Sequence, residues 1–185
     1  MVTEKQRSRK KWYDIVGRGE FDKITLGQSY VHTPQELLHK TIALNLMVLT
    51  NDPKKQSVTL IFKVAAVEGH AGVADLIGYQ MSTSHVKRVV RKAIRRIDDS
   101  FILQSKDKIS FAVKPLFIAR HKTTNSKATM IRKKAHEMLQ HSFQQMNGDD
   151  VFMSVISNKL QMDLKSELRK IYPIAISEIR ILRRV

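Results

Sequence analysis

Four apolar side chains stand at every second position of the stretch SVTLIFKVAAV: Val58, Leu60, Phe62 and Val64. A spacing of two puts all four on one face of an extended strand, and on no single face of a helix. The chain must therefore build a sheet with a covered face. The preceding TIALNLMVLT carries the same alternation at Ile42, Leu44, Leu46 and Val48. Between them NDPKK supplies Asn51 and Pro53 as turn residues. The two runs predict a hairpin. VADLIGYQM (73–81), SFILQS and KISFAVKPLFIARH predict further strands, with SKDK as the turn between the last two. Residues 109–118 carry apolar side chains on both faces, which predicts a barrel-like or covered sheet.

The C-terminal third changes period. TTNSKATMIRKKAHEMLQHSFQQM predicts a helix capped by Asn125 or Ser126 and ended by Gly148. Asp149 or Asp150 caps a second helix through about Leu160. MDLKSELRKIY is a third, stopped by Pro173, and IAISEIRILRRV reads as a last strand. No βαβ rhythm links these elements, so the expected class is α+β with a mostly antiparallel sheet. The 185 residues suffice for one domain, placed at residues 21–185. Residues 1–20 predict an extended basic arm: EKQRSRKKWYD is charged, and Gly17 and Gly19 interrupt regular structure.

HVKRVVRKAIRRIDD, His85 to Asp99, predicts a basic amphipathic helix capped by Thr83 or Ser84. At the helical step, Val86, Val89, Val90, Ala93, Ile94 and Ile97 share one side. Lys87, Arg88, Arg91, Lys92, Arg95 and Arg96 share the other. Solvated helix faces ordinarily mix signs, so a wholly cationic one asks for a polyanion. The whole chain repeats that demand, with 33 Lys and Arg against 17 acids and a formal charge of +16.

Several chemistries are excluded. The chain has no cysteine, hence no disulfide, no Cys-ligated zinc and no thiol nucleophile. HEMLQH places His136 and His141 five apart, about 140° out of line on a helix, whereas a zinc-protease helix needs them four apart. GRGEF lacks the third glycine of a dinucleotide fingerprint, and no phosphate-loop motif occurs. The Asp pairs at 98–99 and 149–150 fall at an expected helix C-terminus and N-terminus, where the first closes the basic helix and the second caps. No cofactor, no metal and no enzyme activity are expected. No apolar run approaches the roughly 18 residues that span a bilayer, and MVTEKQRSRKK has no apolar core of a secretory signal behind it. The Val, Ala and Ile side of the basic helix suits a core better than a membrane surface, which calls for Trp, Phe or Leu anchors.

Four basic clusters remain as the expected nucleic-acid contacts. The first is the helix face with Lys87, Arg88, Arg91, Lys92, Arg95 and Arg96. The second, RHKTTNSKATMIRKK, offers Arg120, Lys122, Lys127, Arg132, Lys133 and Lys134, running from a strand end into a helix N-terminus. The third is the arm, with Arg7, Arg9, Lys10, Lys11 and the aromatic Trp12, where cation and ring together can hold phosphate and stack a base; for Trp12 the alternative, and the preferred reading, is an anchor of the arm to the body. The fourth is Arg180, Arg183 and Arg184. Charge alone does not separate DNA from RNA, and no helix-turn-helix, zinc-finger, RNP or GxxG signature is present.

The order of short motifs adds a resemblance. KKWYDI (10–15), TND (50–52), RRIDD (95–99), SKDK (105–108), MIRKKAHEML (130–139), IYPI (171–174) and EIRIL (178–182) occur in sequence along residues 10–183. Together they resemble the archaeal and eukaryotic small-subunit ribosomal protein family known as eukaryote-type protein S-one, formerly S-three-a. Two positions depart from the family pattern: Lys108 stands where members often carry Gly, and Ala175 and Ile176 follow Tyr172-Pro173 where members tend to have Arg. The lysine-rich extension and tail of eukaryotic members have no counterpart, so an archaeal-type protein is expected. The resemblance implies a non-catalytic, cytoplasmic constituent of the small ribosomal subunit. It would bind ribosomal RNA on the platform near the messenger exit, beside neighbouring ribosomal proteins and within reach of messenger RNA, with no membrane partner. The alternatives are a free DNA- or RNA-binding regulator and an RNA-modifying enzyme.

Overall fold

A computed structural model of the protein describes residues 9–22, 24–90 and 94–185. The fold is α+β, with nine strands that pair mostly antiparallel and five α-helices among the described residues. The chain divides into two compact units, one ending at Ile77 and the other beginning at Gly78.

In the first unit, strands β1 (Lys11–Gly17), β2 (Thr25–Val31), β3 (Thr41–Asn45), β4 (Val58–Glu68) and the start of β5 (Ala71–Met81) follow the order β2-β1-β5-β4-β3. The β1–β5 pair is parallel, with Asp14 opposite Ala71. Helix α1 (Leu46–Thr50) follows β3. Alternation drives this unit: Val58, Leu60, Phe62 and Val64 of β4 are buried. Phe62 meets Phe21 edge-to-face at 5.5 Å. The end strands β2 and β3 do not share a ladder, but Lys40 Nζ donates to Ser29 Oγ at 3.0 Å across their gap. The sheet thus curls towards a barrel without closing.

The sequence predicts an arm over 1–20, yet residues 11–17 are β1, with Tyr13 and Ile15 buried and Lys11, Trp12 and Asp14 exposed. The reason is pairing. Its partner β2 has no counterpart among the predicted strands, because the inward positions beside Ile15 and Tyr13 are the small Gly27 and Ser29. The strand predicted through Val48 also stops early. Asn45 caps α1 by accepting from Met47 N at 2.9 Å, and Val48 is left 61% exposed.

In the second unit, β8 (Ser110–Ala119) is central. It pairs on one edge with β9 (Ile174–Arg184) and on the other with β6 (Arg96–Asp98) and β7 (Phe101–Gln104), all antiparallel. The far edge of β9 pairs with Gly78–Gln80 of β5. Both faces of β8 are covered. Phe117 packs with Ala128, Ile131 and Ala135 of α3 (Asn125–Gln145) and Leu168 of α5 (Lys159–Arg169). Leu116 and Ile118, on the opposite face, pack with Val86 of α2 (Thr83–Val89). This double cover is why residues 109–118 are apolar on both sides. Helix α4 (Gly148–Ile156) brings Phe152 against Phe111, 5.5 Å between ring centres.

Helix boundaries differ from those predicted. Ser82, not Thr83 or Ser84, caps α2, accepting from His85 N at 3.3 Å. Thr124 caps α3, accepting from Lys127 N at 3.5 Å. Gly148 opens α4 instead of ending α3, since α3 stops at Gln145, and Asp107 Oδ2 accepts from Gly148 N at 3.0 Å. The largest difference is the basic helix. It ends at Val89, and residues 96–98 form strand β6, in which Ile97 pairs with Phe117 and is buried. Residues with helical spacing are recruited by the free edge of β8, a tertiary demand that overrides local periodicity.

Candidate nucleic-acid interface

With α2 ending at Val89, only Lys87 and Arg88 of the expected cationic face lie on a helix among the described residues. Lys87 and Arg88 remain exposed on the helix, where Arg88 Nη2 lies 3.0 Å from His85 Nδ1. His85 Nε2 in turn lies 3.3 Å from Glu178 Oε2. Arg91 and Lys92 lie outside the described residues, as does Arg7 of the arm. Arg96 is held by Asp98 on its own strand, and the carboxylate raises the guanidinium pKa above its already high value.

What the fold does instead is join the end of the first cluster to the second. Backbone Ala119 N donates to Arg95 O at 3.1 Å, setting β6 beside the end of β8. From there the Arg95 guanidinium reaches the loop before α3. Nη1 donates to Thr123 O at 3.3 Å, and Nη2 to Asn125 Oδ1 at 2.5 Å. The same loop is tied from the other side, where Tyr172 Oη donates to Lys122 O at 2.8 Å. Lys127 Nζ stands over the Tyr172 ring, 5.2 Å from its centre. A basic loop is thereby held by two side chains, Arg95 just before β6 and Tyr172 between α5 and β9. Arg120 and Lys122 project from it, exposed and without an ion pair among the described residues.

Along α3 the buried stripe is Ala128, Ile131, Ala135, Leu139 and Phe143. Arg132, Lys133 and Lys134 are all exposed. At 100° per residue they fan across the solvent side instead of forming one stripe. Lys134 pairs with Glu137 at 3.4 Å, a surface pair that contributes little. Arg132 and Lys133 have no ion pair among the described residues.

The C-terminal arginines divide by role. Arg183 Nη2 donates to Gln80 Oε1 at 3.3 Å. Arg184 is half-buried, and its guanidinium lies against Gly148, where a Cβ would meet Nη2 at 3.2 Å; it also faces Asp149 at 3.9 Å. Arg184 therefore supports the start of α4. Arg180 is half-buried on β9.

In the first unit, Arg9, Lys10 and Lys11 are exposed and have no ion pair among the described residues. Trp12 sits directly opposite Tyr30 in the β1–β2 ladder, ring centres 5.1 Å apart and planes at 39°. Lys10 Nζ lies 5.8 Å from the Tyr30 ring centre. Sequence reasoning misses Tyr30, as it misses Tyr172. Only the strand register brings Tyr30 to Trp12, and nothing in the sequence announces that register.

The groups that invited other chemistry are structurally engaged. Asp99 Oδ1 accepts from Ser100 N at 2.9 Å, and Asp150 Oδ2 accepts from Asn147 Nδ2 at 3.1 Å. His136 packs on Phe101, 4.7 Å between ring centres. No three His, Asp or Glu side chains gather as a metal site among the described residues. No helix among them is long and apolar enough to cross a membrane.

Comparison with known proteins agrees with the motif order. The family model of the ribosomal S3Ae family matches residues 2–184. The small ribosomal subunit protein eS1 of Nanoarchaeum equitans is 27% identical over 172 residues, covering 93% of this chain and 87% of the relative. Its counterpart in Methanothermobacter thermautotrophicus is 27% identical over 170 residues, with 92% and 87% covered. That of Saccharolobus islandicus is 26% identical over 170 residues, with 92% and 82% covered. The match runs through both units, the basic loop and the closing strand, and the chain belongs to the ribosomal S3Ae family.

Proposed function

We propose that this chain is a structural constituent of the small ribosomal subunit that binds ribosomal RNA, without catalysis, in the cytoplasmic ribosome. The observation that carries the reading is the near end-to-end match to proteins named small ribosomal subunit protein eS1. The chemistry supports it. Arg120, Lys122, Arg132 and Lys133 are exposed cations on a loop and helix held by buried packing, a surface suited to the phosphates and shape of folded RNA. Lys87 and Lys127 in the same unit, and separately Arg9 to Lys11 in the first unit, offer further exposed cations to RNA. Neighbouring small-subunit proteins are partners in this reading, and the platform near the messenger exit is its position, with messenger RNA within reach.

The test is sedimentation of a lysate containing the tagged full chain. The protein should travel with small subunits in a gradient that keeps subunits intact, and leave them in high salt. Recovery only at the top of the gradient would overturn the reading in favour of a free regulator.

A further inference from the structure

We infer that Trp12 and Tyr30 form a stacking platform for an unpaired base of single-stranded RNA. The inference rests on the RNA-binding reading above and names a site within it.

Trp12 is 65% exposed and Tyr30 51% exposed, on the outer face of the β1–β2 pair. The anchoring role in this strand belongs to their neighbours, since Tyr13 and Ile15 point inward and are buried. A cross-strand aromatic pair does stabilise a sheet. That role accounts for the contact between the rings, but not for leaving the larger part of an indole in water. The rings touch at a tilt of 39°, and both leave half or more of their surface in water. A base offers a flat π-surface of matching size to such a ring, whatever its identity.

The surroundings specify the charge of the occupant. Arg9, Lys10 and Lys11 enter β1 immediately before Trp12, all exposed. Lys10 Nζ is already drawn over the Tyr30 ring. The acid on this face, Asp14, is engaged by Gln28 Nε2 at 2.8 Å. Rings flanked by cations that have no ion pair among the described residues match a nucleotide, base on the rings and phosphate on the cations. Base-paired RNA would keep its bases stacked on one another, so the occupant is single-stranded.

Trp12 is the sole tryptophan of the chain, and its emission reports on this site alone. The full chain is titrated with a short oligoadenylate and with an abasic ribose-phosphate chain of the same length. The oligoadenylate should quench Trp12 and bind more tightly than the abasic chain. Trp12→Ala should lower oligoadenylate affinity about five- to hundredfold, read by anisotropy of a labelled oligomer. Trp12→Phe and Tyr30→Phe should keep most of it, and their near-wild-type melting would separate stacking from folding. Equal binding of both oligomers with unchanged emission would overturn the platform, as would quenching by anionic phospholipid vesicles and not by RNA. Co-sedimentation with small subunits is scored separately. A protein that sediments with subunits but shows no base-dependent quenching loses the platform and keeps the ribosomal reading. The opposite pair of results loses the ribosomal reading and keeps the platform.

Discussion

Lys108 shows how a single residue carries the signature of its turn. Its φ is +59°, the left-handed region that costs a side-chain-bearing residue about 1 kcal/mol or more. Gly adopts this conformation without strain, which fits the Gly that the family resemblance leads one to expect at this turn. Lys108→Gly should stabilise the protein by about 0.5–1 kcal/mol, read as a higher urea midpoint at unchanged slope. The neighbouring Asp107→Ala should cost about 1 kcal/mol, because Gly148 N then loses its acceptor at the start of α4. Tyr79 makes a different single-residue prediction. Burial, and then the negative charge of Glu178, hold its phenol above the ordinary range. The folded state therefore favours the neutral phenol, while an unfolded tyrosine ionises near about 10. Stability from this group is present below that pH and is lost as pH rises through the folded value. Denaturation midpoints should fall above about pH 10, and Tyr79→Phe should flatten the alkaline fall.

Among elements, the short strand β6 is the most informative. Ile97 is buried against Phe117 while Arg96 and Asp98 flank it on the outside. Ile97→Ala should cost about 2–5 kcal/mol, from lost apolar burial and the cavity left behind. Asp98→Asn should cost less than about 1 kcal/mol, since its pair with Arg96 is partly solvated. Paired urea melts would check the contrast, and a large cost at Asp98 would contradict these roles. Legibility varies between elements for physical reasons. β4 is readable because its alternation is complete, and α3 because its apolar residues recur at three and four. β2 is not, because Gly27 and Ser29 fill space opposite large partners and carry no hydrophobic signal. Periodicity overextends α2 because Ile94 and Ile97 fit a helical stripe while belonging, in the fold, to a chain that turns into β6.

For the whole molecule the governing quantity is charge. In the proposed reading, a formal +16 predicts that phosphate contacts contribute a large share of RNA affinity. Each neutralised phosphate should add about 0.7–0.9 to the steepness of log K against log salt. Arg120→Glu, Lys122→Glu and Lys133→Glu together should weaken binding of a small-subunit RNA fragment and make that slope shallower by about 2–3. The fold should survive, because all three side chains are exposed and none makes an ion pair among the described residues. A salt series on wild type and variant, with circular dichroism on the same samples, measures both. An unchanged slope with intact structure would remove these residues from the interface.

Composition and period belong to the sequence alone: the α+β class, the covered faces of β4 and β8, the helical final third and the demand for a polyanion. They are legible because burial leaves apolar side chains at spacings fixed by strand and helix geometry, and because net charge needs no coordinates. The tertiary structure decided which cations stand together. It took Arg96 out of the expected face and gave it to Asp98, and it turned Arg184 towards Gly148. It drew Arg95 across to Thr123 and Asn125, residues far away in the chain. It also set Tyr30 opposite Trp12. Such pairings follow from strand register and from which edge of β8 was free, and neither leaves a periodic mark on the residues that obey it.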